Sequence, residues 1–145
     1  MEKHYEFTDD EFEQAFISCS LNPSCFSHEA HLRLAWINIR KYGIENALKN
    51  IQNQLQRFVE FVGAKDKYNK TLTIAATLAV NHFMNTADAK SFKVFITQFP
   101  RLKTNFKELM AFHYSFDIYN SDRAKTKFLE PDLEPFDSAI NLQQM

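Results

Sequence analysis

The chain has 145 residues, with two glycines, fifteen phenylalanines, five tyrosines and one tryptophan, enough length for one substantial core filled by large rings. Two glycines, Gly43 and Gly63, cannot build a G-x-G-x-x-G turn or a glycine-rich phosphate loop, which excludes nucleotide cofactors held that way. Seventeen Lys and Arg are interspersed with eighteen Asp and Glu, so no basic face points to nucleic acid, and charges interrupt each apolar run well before the roughly 20 residues of a membrane helix.

The spacing predicts a first helix over residues 9 to 20, capped by Thr8 or Asp9, with Phe12, Ala15, Phe16 and Cys19 on one stripe. Asn22-Pro23-Ser24 ends it. A second helix runs from about Ser27 to Tyr42, burying His28, His31, Leu32, Ala35, Ile39 and Tyr42 and turning Arg33, Ile37, Arg40 and Lys41 away, with Gly43 as its stop. The third, Ile44 to Val62, carries Ala47, Leu48, Ile51, Leu55 and Phe58 at helical spacing before Gly63. A fourth is expected from near Asp66 to about Asn85, with Tyr68, Thr71, Leu72, Ala75, Ala79, His82 and Phe83 inward and Lys70, Thr73, Thr77 and Asn81 elsewhere.

A fifth helix carries Phe92, Phe95, Ile96 and Phe99 up to Pro100, and a sixth carries Phe106, Leu109, Met110 and His113. A short helical turn is expected from Ser121 to Phe128. Pro131 and Pro135 then hold the tail, residues 129 to 145, extended across the bundle, with its last residues mobile. The expected fold is an all-α, single-domain helical bundle over residues 1 to 145, a four-helix core with one or two additional helices. Cys19 and Cys25 lack the C-x-x-C spacing and read as reduced, partly buried thiols. With no apolar signal core at the N-terminus, a cytoplasmic location is expected.

The anomaly is a pair of histidines three residues apart at a helix start, His28 and His31, on an otherwise apolar face. The helix dipole disfavours imidazolium there, which leaves the rings available as proton acceptors or metal ligands, while Glu29 reads as an outward dipole partner. Tyr68 and Thr71 repeat the pattern on the fourth helix, and with helices two to four running up, down and up, all four groups meet at one end of the bundle. Arg57, Phe58 and Phe61 border that region, and His113, followed by Tyr114, can swing toward it.

No histidine has an acid three residues before it and no H-E-x-x-H occurs, which removes di-iron and zincin patterns and leaves H-x-x-H as a possible mononuclear site with His113 or His82 as third ligand. The expected function is therefore a small-molecule-binding or enzymatic pocket. In it His28, His31 and Tyr68 do the chemistry, Thr71, Arg57, Phe61, His113 and Tyr114 bind the ligand, and His28 and His31 are the metal candidates. The alternative is an interaction module or homodimer that buries Ile37 and the exposed phenylalanines of helices five and six against a partner.

Three segments carry a resemblance: Phe26 to Trp36 with the pattern F-x-H-x-x-H-L-x-x-A-W, Tyr68 to Thr73, and the tail Ser121 to Pro135 with Phe128 and Pro131-Asp132-Leu133. Together they resemble a family of small all-helical bacterial proteins to which no activity is attached, over roughly residues 24 to 136. Members of that family typically carry His where this chain has Asn69, so the resemblance implies that a metal using that ring would be lost here.

Overall fold

Thr8 starts the first helix with a full capping box: its hydroxyl accepts from the Glu11 N–H, and the Glu11 carboxylate accepts from the Thr8 N–H. In the computed structural model, which describes residues 1–136, the protein is all-α, with eight helices and no strand among those residues. The helices are α1 (Asp9–Ile17), α2 (His28–Tyr42), α3 (Ile44–Phe61), α4 (Lys70–Met84), α5 (Phe92–Gln98), α6 (Arg101–Thr104), α7 (Phe106–His113) and α8 (Asp122–Thr126). Three 3₁₀ turns, Lys3–Glu6, Pro23–Cys25 and Lys65–Lys67, precede α1, α2 and α4. Among the described residues, no helix is long and apolar enough to cross a membrane. The expectation for the last residues of the tail lies outside the described residues.

The chain divides into two compact units, Met1–Tyr68 and Asn69–Met145. In the first, α1, α2 and α3 pack on one another. Phe16, Phe26 and Phe58 meet there with ring centroids 4.9 to 5.5 Å apart, and Cys19 and Cys25 are buried free thiols. In the second, α4 packs on α8 and α6 on α7, with Phe95, Leu102 and Ala124 fully buried.

Two helices are buried far more widely than their strongest stripe predicts. On α2, Glu29, Arg33 and Ile37, expected on the outer face, are buried with Leu32, Leu34, Ala35 and Trp36, while Tyr42 is largely exposed. A helix that is apolar on several sides is an interior helix, and one amphipathic stripe misreads it. On α4, Thr73, Thr77 and Asn81 are likewise buried, whereas His82 is exposed. The threonines need no outside partner, because the Thr73 hydroxyl donates to the Asn69 carbonyl at 2.7 Å and that of Thr77 to the Thr73 carbonyl at 2.9 Å.

The start of α4 also differs from expectation. Asn69 is its N-cap, accepting from the Leu72 N–H at 2.9 Å, and Tyr68 precedes the helix with extended backbone. An Asn carboxamide competes for the first free N–H groups of a helix, which is why the helix begins here and not at Asp66.

Gly43 joins α2 to α3 at φ 81°, ψ 164°, a region that essentially only glycine occupies. A Cβ there meets no atom within 4 Å, so the cost of a side chain is purely that of backbone strain. Gly43→Ala is expected to lower stability by about 1–3 kcal/mol, read from urea unfolding. A change within a few tenths of a kcal/mol would mean that the loop adopts another conformation at no cost.

Candidate functional site

In the first unit, α2 carries a buried charged cluster at its N-terminal end. His4, in the first 3₁₀ turn, is fully buried, and its Nε2 lies 2.7 Å from a carboxylate oxygen of Glu29. Arg33, one turn further along α2, donates to the carbonyls of His4 at 2.6 Å and Phe7 at 2.9 Å, and to the Asp9 carboxylate at 2.9 Å. Ser27, the N-cap of α2, donates its hydroxyl to Glu2. Arg33 thereby ties the segment before α1 to the side of α2, since a planar guanidinium can serve two carbonyls and a carboxylate at once.

Glu2, His4 and Glu29 place three potential ligand atoms within 4.8 Å of one another, and among the described residues they are the group that could close on a metal ion. The chemistry of the donor set does not fit one. His4 Nδ1 lies 3.3 Å from Arg33 Nη1, and a guanidinium can only donate. The ring proton therefore sits on Nε2, facing Glu29. Ligation through Nε2 would move that proton to Nδ1, donor against donor, where metal-binding histidines ordinarily find a carbonyl or carboxylate. The cluster is a fastening for the N-terminal segment, and sequence reading missed it because His4 and Glu29 lie 25 positions apart.

His31 is stacked on Phe26 at 5.7 Å within the Phe16–Phe26–Phe58 group. Its Nε2 is buried without a hydrogen-bond partner. Burial first, and the neighbouring His28 second, push its pKa down to about 4, so the ring is neutral across the physiological range. His28 itself is exposed. Arg57 donates to the Ile17 carbonyl at 2.6 Å and so caps the end of α1, while Phe61 is 72% exposed.

Tyr68 belongs to the first unit, and the second takes Thr71, His113 and Tyr114 and uses most of them to hold its own tail. The Thr71 hydroxyl donates to the Lys127 carbonyl at 2.6 Å and accepts from the Leu129 N–H at 3.0 Å. Tyr114 is buried, with its hydroxyl donating to the Leu129 carbonyl at 2.7 Å, and burial, with Asp132 and Glu130 nearby, holds that phenol well above its usual pKa. Asn69 is committed too, capping α4 with its oxygen and donating from its nitrogen to the Ile118 carbonyl at 2.8 Å.

His113 differs from these. The tail reaches the end of α7, where the Leu133 and Glu134 N–H groups donate to the carbonyls of His113 and Phe112. Asp132 accepts from both the N–H and the hydroxyl of Ser115, which holds its carboxyl below the usual range. His113 Nδ1 lies 2.7 Å from the Glu134 carbonyl, and its ring stacks on Phe136 at 4.1 Å. A carbonyl can only accept, so Nδ1 carries a proton, and in the neutral ring Nε2 is the acceptor.

Beside that ring is a cavity of about 270 Å³. Ala79, His82 and Phe83 of α4 form one wall, Leu109, Met110, Phe112 and His113 of α7 a second, and the tail segment Glu134-Pro135-Phe136 a third. Among the phenylalanines of α5 and α7, Phe92, Phe95 and Phe106 are buried, and Phe112 is exposed at the cavity edge. Comparison with family models, with curated proteins and with solved structures gives no match.

Two variants probe the first unit. Arg33→Ala orphans the His4 and Phe7 carbonyls and removes the guanidinium partner of Asp9, and is expected to cost roughly 3 kcal/mol; hydrogen exchange should show amides of residues 4 to 8 losing protection, and unchanged protection would overturn the fastening role. His31 has a folded pKa of about 4 against 6.5 when unfolded. The unfolded chain thus binds more protons between those values, and stability is complete above about pH 6.5 and falls as pH drops to 4, by roughly 3 kcal/mol. His31→Phe should remove that component, so the difference in urea midpoint between variant and parent should widen on acidification through this window.

Proposed function

We propose that the protein binds a small, largely apolar molecule in the cavity walled by α4, α7 and the tail. The observation that carries this reading is the cavity itself, about 270 Å³, with Ala79, Leu109, Met110 and Phe136 buried in its walls. An opening of this size, mostly apolar with a few convergent polar groups, has the character of a ligand site. Ala79 contributes by smallness, since a larger side chain on α4 would fill the space.

The pocket proposed here is a different one from that expected around His28, His31, Tyr68 and Thr71: none of those four lines it, and of the expected ligand-binding residues it takes His113. Thr71 and Tyr114 act at one remove, holding the tail that forms the third wall. Binding, with no reaction assigned, is the reading supported by a lining of mostly apolar side chains with the imidazoles of His82 and His113 among them. A cytoplasmic protein of the bacterial helical type that the F-x-H-x-x-H-L-x-x-A-W segment resembles is the setting we propose.

The test follows the Met110 methyl resonance during titration with indole, a probe matched to the cavity in size. Saturable movement at about 1 mM or tighter is expected, corresponding to roughly −4 kcal/mol for so small a probe. Ala79→Met should abolish the movement while leaving the fold stable. A Met110 methyl unmoved at saturating indole would overturn the reading.

A further inference from the structure

Resting on that reading, the geometry assigns a chemical class to the occupant: we propose a planar, uncharged, two-ring aromatic molecule carrying one hydrogen-bond donor, of the indole or hydroxyarene type, with its donor on His113 Nε2. Size comes first. An apolar cavity of about 150 Å³ takes a single benzene ring, so about 270 Å³ accommodates two fused rings and little more.

Shape follows from the walls. Phe83 and Phe136 present aromatic rings, and Met110 presents a thioether that packs well against ring edges. His113 stacks on Phe136 at an interplanar angle of 21°, so the two rings stand as a parallel pair beside the cavity. A planar ligand gains most against such surfaces, because offset stacking needs parallel faces.

Polarity is set by the tail. With Nδ1–H committed to the Glu134 carbonyl at 2.7 Å, the neutral ring can only accept at Nε2, and a ligand must bring the proton. A ligand that offers only acceptors there would set lone pair against lone pair. Charge is disfavoured on the same grounds: among the residues lining the cavity the one acid is Glu134, which is exposed, and no Lys or Arg lines it. An anion would leave water with no cation to receive it, and the burial of an unpaired charge is costly.

Indole and benzofuran separate this inference from the reading beneath it, since they are near-identical in size and shape and only indole carries a donor. Calorimetric titration is expected to give indole roughly fivefold tighter binding, the value of one net hydrogen bond. His113→Asn keeps a donor for the Glu134 carbonyl while removing Nε2, and should bring the ratio to about one. In the parent protein, the Nε2 nitrogen resonance of His113 should shift on adding indole and stay in place with benzofuran, a readout that does not depend on any variant folding. Equal binding of both probes, or a ratio that survives His113→Asn, would overturn the donor requirement while leaving the cavity occupied. Failure of both probes to bind would remove the ligand site altogether.

Discussion

The last turn of α7 leaves carbonyls that no later residue of the helix can satisfy, and the way this chain satisfies them organises the second unit. The extended tail turns back and donates its Leu133 and Glu134 N–H groups to the carbonyls of His113 and Phe112. Everything distinctive about the cavity depends on this. The tail supplies the third wall, and the Glu134 carbonyl receives the His113 Nδ1 proton. Phe136 is brought against the imidazole face. Pro131 and Pro135 suit such a segment, because a chain that lies extended has no use for the helical N–H groups that proline lacks. Thr71, Tyr114 and Ser115 add side-chain fastenings at Lys127, Leu129 and Asp132, so the segment is held along most of its length.

The first unit solves a related problem with charge. The segment before α1 has too few apolar groups to dock by burial alone, and it is fastened by Arg33 reaching its carbonyls and by His4 meeting Glu29. A buried Arg–carboxylate arrangement gains specificity of geometry more readily than it gains net stability. Further along α2 the same logic recurs near the surface, where Lys41 bridges Asp10 and Glu13 and the Tyr42 hydroxyl donates to Glu13. The carboxylates of Asp10 and Glu13 hold the Lys41 ammonium well above its usual pKa. His31 stands apart from these networks, a neutral ring among phenylalanines with its Nε2 unpaired.

Which parts of this were legible in the chain follows from the range of the forces involved. The helices could be read because their determinants are local: caps such as Thr8, Ser27 and Ser121, stripes at 3.6-residue spacing, and a stop such as Gly43 in a backbone region closed to other residues. The short α6 after Pro100 and the 3₁₀ turns carry too few residues to leave a periodic signal. Reading α2 as one-sided failed for Glu29 and Arg33, since a charged side chain looks like a solvent face until its buried partner is known. Thr73 and Thr77 misled in the same way, because a hydroxyl that donates back to its own helix can be buried at little cost.

The site shows the same division. Sequence by itself determined that the protein is all-α, that two glycines are too few for a glycine-rich phosphate loop, that histidines stand at the ends of helices, and that residues 129 to 135 cannot be helix throughout. Tertiary structure alone decided what those histidines do. Whether an imidazole nitrogen donates or accepts depends on the group opposite it, and those groups lie 21 positions from His113 and 25 from His4. Local periodicity carries no information over such distances. It is the return of the tail onto α7 that brings the Glu134 carbonyl to the Nδ1 of His113 and Phe136 to its ring.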